Sequence, residues 1–168
     1  MGSEVLRFHP SCPYGERARH PCLLTLLRDI RTNEPRAIHR TALTPAGDKI
    51  GRMVLGPKVG AAIKLSPDDA VSMGLTIAEG IETALSGMQL GRRPVWSVVD
   101  AAGIANFPVL SGIEALTILV DNDESGTGQR GAIKCSERWT NAGREVLRVL
   151  PRHPGDDLND VVRKRTAG

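Results

Sequence analysis

Aromatic side chains are scarce in this 168-residue chain, at 3% of the total. Phe8, Tyr14, Trp96, Phe107 and Trp139 are too few to build a platform on which successive single-stranded bases would stack. Any nucleic acid would have to be held mainly by charge. Cysteine is sparse and odd in number, with Cys12, Cys22 and Cys135, which excludes the dense, even framework of a secreted disulfide scaffold and predicts reduced thiols. No apolar run approaches the roughly 20 residues of a membrane-spanning helix. The opening MGSEVLRFHP also lacks the apolar core of a signal peptide, so the expectation is a cytoplasmic protein with no membrane partner. The GxxxxGK[ST] phosphate loop is missing as well, and with it any recognisable nucleotide-driven motor.

What is present is an ordinary aliphatic composition, 40% apolar and 24% charged, long enough for one main domain and a small appendage. The net charge of +3 conceals an asymmetry. Residues 1–65 hold 11 Lys and Arg against 5 Asp and Glu, a net of +6, whereas residues 66–168 hold 11 against 14, a net of −3. A basic segment therefore precedes an acidic one, an arrangement suited to a polyanion and equally to two solvated surfaces.

Within the basic segment, CLLTLLRDI, RAIHRTAL and KIGRMVLG are short apolar runs separated by the turn signals TNEP and TPAGD. They predict a small β-meander carrying Arg40, Arg52 and Lys64 on an exposed cationic face. Ser66-Pro67-Asp68-Asp69 marks the join, as a helix N-cap or a linker turn. From Gly74 onward strand and helix patterns alternate: LTIAE, a helix to about Leu90, VWSVV, a weaker helix over 103–109, ALTILV, a helix over 126–141, REVLRVL and a last helix from about Leu158. The fold class read from this is α/β: a compact Rossmann-like core of about four parallel strands flanked by helices over 66–168, preceded by a β-rich subdomain over 1–65.

Ligands of open parallel sheets sit at the carboxyl ends of strands, and two of those ends are acidic here. LTIA runs into Glu79-Gly80, and ALTILV runs into Asp121-Asn122-Asp123 with Gly126 close behind. Asp121 and Asp123, two apart on a departing backbone, can turn toward one point, and hard oxygen donors suit magnesium better than zinc. Clustered carboxylates repel one another without a cation or a compensating base. Either end alone is also explained as a helix-start charge, and the same holds for Glu82.

The pair LTIAEGIETAL and, about forty residues on, ILVDNDESG resembles the two signature motifs of Toprim domains, the family of primases, topoisomerases and small nucleases. Glu79 and Gly80 match the first motif, and Asp121, Asp123 and Gly126 the second. PGDDLNDVV resembles a third acidic motif of primases, which adds Asp157 and, more distantly, Asp160. The stretch PRAIHRTALTPAGDKIGRMVLGPKVGAAIKL is similar to the segment that precedes the Toprim core in primases of plasmids, phages and integrated elements. The resemblance implies a Toprim-like fold and nucleotidyl transfer in which Glu79, Asp121, Asp123 and Asp157 hold Mg2+, or Mn2+ in its place, with Glu79 managing the proton. It implies single-stranded DNA and nucleotides as ligands and a replicative helicase as a partner. A Toprim-type nuclease and a non-catalytic module of a primase complex are the alternatives. A topoisomerase would need a nucleophilic tyrosine, and Tyr14 precedes the core.

Arg130, Lys134 and Arg138 recur every four residues and share a helix face next to the DxD turn, a stripe able to follow a phosphate backbone or to serve as a plain solvated face. His9, Cys12, His20 and Cys22 are zinc-ligand types without finger or ribbon spacing, and a proline-rich loop is the simpler account. A haloacid dehalogenase-type phosphatase also uses DxD after a strand. It places that motif early in the fold, however, and would give Glu79 no role.

Overall fold

A computed structural model describes residues 5–122, 125–151, 155, 158, 159 and 162. The chain forms two compact units, Met1–Ile63 and Lys64–Gly168.

The first unit is antiparallel, with β1 (Leu6–Tyr14), β2 (Ala18–Asp29), β3 (Pro35–Leu43) and β4 (Lys49–Leu55) hydrogen-bonded in that order and β5 (Ala61–Ala62) paired to the end of β2. The turns account for the meander. After β2, the Asp29 carboxylate accepts from the N–H groups of Arg31 and Thr32 at 2.9 and 3.0 Å and pairs with Arg36 at 2.8 Å. Those N–H groups, and then Arg36, hold its carboxyl below the ordinary range. After β3, Gly47 takes φ 94°, closing the Thr44–Asp48 turn.

The proline-rich stretch expected to be a loop is a strand. β1 lies at the sheet's edge, where a missing proline N–H costs no ladder bond, and a bulge between His9 and Cys12 takes up Pro10. Of the four zinc-ligand types, Cys12 stands opposite His20 and His9 opposite Cys22 in the backbone register of this hairpin. Cys12 and Cys22 are buried with Ala42, Tyr14 and Leu24, while His9 is exposed and accepts from Ser11 N–H. Burial, and then the neighbouring Cys12, push the Cys22 thiol up, so both cysteines act as small apolar core residues.

The second unit is a parallel sheet in the order β7 (Val95–Ser97), β6 (Gly74–Ala78), β8 (Ala115–Leu119), β9 (Glu145–Val149). The inner strands β6 and β8 read as nearly continuous apolar runs because both faces are covered, whereas the edge strand β9 leaves Glu145, Leu147 and Arg148 exposed. The connections are α1 (Ile81–Gln89), α2 (Ala101–Ala105) and α3 (Thr127–Asn141). On one face Ala78, Ala84, Met88, Val95, Leu119 and Leu158 pack together. On the other, Phe107 stacks on Trp139 at 6.1 Å and meets Trp96 edge-on. Ser66 is no helix cap. It is buried against β7, its Oγ accepting from Val95 N–H and its carbonyl from Trp96 Nε1, and the acidic pair after it forms a single 3-10 turn. None of the described helices is long and apolar enough to cross a membrane.

Cys135 is fully buried in α3, and that burial pushes its thiol from an ordinary 9.0 up to about 11 against a smaller opposite pull from Arg138. The folded chain thus holds this proton more tightly than the unfolded one. The stability that follows is full below pH 9 and lost as pH rises toward 11. Denaturant midpoints at pH 8 and pH 11 should fall with alkalinity, and fall less in Cys135→Ala.

Candidate metal centre

The strand order places the site. From β6 the chain turns to β7, and from β8 to β9 on the opposite side, so β6 and β8 flank a switch point whose crevice opens at their carboxyl ends. Glu79 leaves β6 at that edge, and Asp121 leaves β8 one residue beyond Val120. The two strands are in register from Gly74↔Ala115 to Ala78↔Leu119, so the two carboxylates leave neighbouring strands at one end of the sheet.

Hydroxyl groups hold both positions. Ser97, fully buried at the end of β7, donates from Oγ to the Glu79 carbonyl at 3.1 Å. Thr83, in the first turn of α1, donates from Oγ1 to Asp121 Oδ1 at 2.9 Å. Gly80 is the α1 N-cap, and the space above it is filled by the Glu82 carboxylate and the Thr83 hydroxyl, 3.4 and 3.7 Å from where a Cβ would stand. Glu82 therefore folds back over the helix start, where a negative charge is favoured. Asn122 ties the loop down. Its side-chain amide donates to Pro151 O, its Oδ1 accepts from Gln129 Nε2, and its own carbonyl accepts from Gly155 N–H.

A third acidic strand end escaped the sequence reading. Asp100 follows β7 and caps α2, its Oδ1 accepting from Gly103 N–H at 2.7 Å. The signal was VWSVVD itself, which ends in a carboxylate as the other two strands do.

Asp123 and Asp157, with Asp160, lie outside the described residues, and among the described residues no group of three or more His, Cys, Asp or Glu is placed to hold a metal ion. Of the carboxylates singled out in the sequence for a metal, those of Glu79 and Asp121 are described, and both offer hard oxygens of the kind that magnesium takes.

The basic stripe on α3 divides. Arg130 is exposed and folds over the turn after the DxD segment, donating to Ser125 O at 2.9 Å and Thr127 Oγ1 at 3.0 Å, and Lys134 is exposed. Arg138 points inward and clamps the end of α2, donating to Ala105 O at 2.8 Å and Phe107 O at 3.0 Å. Spacing set the helix face, but the carbonyls at the end of α2 took the guanidinium. Arg138→Ala should therefore lower stability by about 1–3 kcal/mol by leaving those carbonyls without their donor. Lys134→Ala should stay within about 0.5 kcal/mol of the unaltered chain in the same denaturation measurement.

In the first unit Arg52 is exposed on β4, and half-buried Arg40 donates to Pro13 O at 2.7 Å. Lys64 departs from the exposed cationic face expected of it. Its side chain is 4% exposed, paired with Asp68 at 2.8 Å and seated 4.5 Å over the Trp96 ring.

The family model for the Toprim domain matches residues 74–168, and a domain of unknown function (DUF7146) matches residues 1–65. No curated protein matches the chain. Among solved structures, it is similar to a DNA primase domain from Pseudomonas aeruginosa, with 18% identity, 94% of this chain and 52% of that one covered, and a TM-score of 0.61. The DnaG catalytic core matches at 18% identity, 89% and 50% coverage and a TM-score of 0.65. A DnaG primase catalytic domain bound to single-stranded DNA matches at 17% identity, 95% and 54% coverage and a TM-score of 0.62. The chain thus shares the fold of primase catalytic cores while spanning about half the length of those structures.

Proposed function

This chain belongs to the Toprim domain family, and from that membership we propose that it carries out magnesium-dependent nucleotidyl transfer on nucleic acid, as a DNA primase-like enzyme in the replication of a mobile element. The observation that carries the reading is the departure of Glu79 and Asp121 from neighbouring parallel strands at the switch point of the sheet. Glu79, Asp121 and Asp123 would hold the magnesium, or manganese in its place, with Asp157 as a further oxygen donor. When bound, the cation neutralises phosphate charge and orients the attacking oxygen.

The chain's own residues do the rest. Glu79 manages the proton, taking it from a 3′ hydroxyl in synthesis or giving one to the leaving oxygen in cleavage. Arg130 and Lys134 on α3 track the phosphates of single-stranded DNA, and Arg40 and Arg52 give the basic unit phosphate contacts of its own, so affinity falls as salt rises. Lys64 and Arg138 have no part in this, since Lys64 is buried against Asp68 and the Trp96 ring and Arg138 turns inward onto the carbonyls at the end of α2. The 168 residues carry no phosphate-loop motif, so unwinding would be the work of a helicase, as a separate chain or as a further portion of a longer one.

The test is a gel assay of end-labelled single-stranded DNA with all nucleotides and either metal. New primers or extended strands support the primase-like reading. Shortened strands make the chain a Toprim nuclease, and unchanged strands make it a binding module that needs another chain for chemistry.

A further inference from the structure

Thr83 is 2% exposed, so its hydroxyl has no water to turn to and must find a partner inside the protein. The usual choice for a threonine in a helix is the carbonyl four residues back. Here that carbonyl belongs to Glu79, and the buried Ser97 hydroxyl already donates to it at 3.1 Å. The Thr83 hydroxyl instead crosses to the next strand and donates to Asp121 Oδ1 at 2.9 Å. Two buried hydroxyls therefore serve two strand ends, Ser97 fixing the backbone of one and Thr83 the side chain of the other. β-Branching adds to the effect, because Thr83 has few χ1 choices on a helix and its hydroxyl direction is set by the backbone of α1.

We infer that Thr83 is a positioning residue of the metal centre, its hydroxyl fixing one oxygen of Asp121 so that the carboxylate is presented to a divalent cation in a single orientation. The inference rests on the reading of Asp121 as a metal-holding residue. A hydrogen bond that only fastened α1 to the end of β8 would act on stability alone. A positioning bond acts on metal affinity, because a carboxylate that rotates freely pays an ordering cost each time the cation binds. Partners of metal-holding side chains are typically worth about 10–100-fold in metal affinity.

The experiment is calorimetric titration of the full chain with Mn2+, alongside thermal denaturation without metal. The variants are Thr83→Val, which keeps shape and loses the hydroxyl, Thr83→Ala as a second hydroxyl-free variant, Thr83→Ser, which restores the hydroxyl, Asp121→Asn, and Thr83→Val/Asp121→Asn. We expect Thr83→Val and Thr83→Ala to weaken Mn2+ binding by roughly tenfold or more. Thr83→Ser should stay close to the unaltered chain, and the double variant should bind no more weakly than Asp121→Asn. Unaltered Mn2+ affinity in either folded hydroxyl-free variant, whatever its melting temperature, overturns the positioning role, and so does a serine variant as weak as the valine one. A different pattern marks failure of the underlying reading: if Asp121→Asn binds Mn2+ as tightly as the unaltered chain, the metal centre itself is lost and the role of Thr83 falls with it.

Discussion

Glu79→Gln should lower nucleotide transfer by about 10²–10⁴-fold, the usual worth of a positioned proton-transfer group. The substitution keeps the volume and removes the charge, so the loss should come without unfolding. The local structure supports that separation. The contact that anchors this position uses the Glu79 backbone carbonyl and Ser97, and glutamine leaves it intact. The next residue, Gly80, remains the N-cap of α1. Far-ultraviolet dichroism and the melting temperature should therefore match those of the unaltered chain while primer extension or strand shortening disappears. Asp121→Asn/Asp123→Asn should lose the same activity through weakened metal binding alone, so excess Mn2+ should restore more of its activity than of that lost in Glu79→Gln, where the proton-transfer group is removed together with a metal-holding carboxylate. If both variants retain full activity, the chemistry lies elsewhere in the chain and the primase-like reading is abandoned.

The reach of the sequence can be judged residue by residue. The parallel strands were legible because a strand covered on both faces must be apolar throughout, and LTIA and ALTIL have few other uses. Glu79 and Asp121 were legible for a related reason, since a charge directly after such a run has to lie at the sheet's edge. The weaker helix was misplaced by two to four residues. It spans Ala101–Ala105 because Asp100 caps it, and its continuation is barred by Pro108, which disfavours helical backbone at Phe107. β1 was hidden by its prolines, which an edge strand with a bulge accommodates.

Partners were the least legible feature. Helical spacing showed that Arg130, Lys134 and Arg138 share a face, yet only the packing of α2 decides that Arg138 meets carbonyls and not solvent. Thr83 and Ser97 stand 38 and 18 residues from the groups they hold, and nothing in the local sequence names those groups. A short hydroxyl side chain is compatible with many environments, whereas a carboxylate after a buried strand is compatible with few. Site residues that carry charge are therefore easier to read than the neutral ones that orient them.

Gly103→Ala sets local propensity against packing with opposite signs. In an exposed helix interior the change is worth close to 1 kcal/mol of added stability, because alanine is the better helix former. At this position an added Cβ would stand 2.1 Å from the Val98 carbonyl oxygen and 3.0 Å from its carbon, and both atoms belong to backbone that no rotamer change can move. The helix would have to lift away from the end of β7. That motion pulls on the Asp100 carboxylate bonded to Gly103 N–H at 2.7 Å and on the turn in which Val99 holds φ 77°, a conformation costly for a β-branched residue. Overpacking of this kind costs about 1–3 kcal/mol and more when backbone must yield, so the expected net is a loss of about 3 kcal/mol. For a chain of this size that is a fall of about 6–12 °C in melting temperature. Because Ser97 holds both the Val99 N–H, at 3.4 Å, and the Glu79 carbonyl, the disturbance should reach the candidate site, and activity should fall at temperatures where the variant is still folded. A variant that melts higher than the unaltered chain would mean that α2 stands off from β7 and that helix propensity alone governs this position.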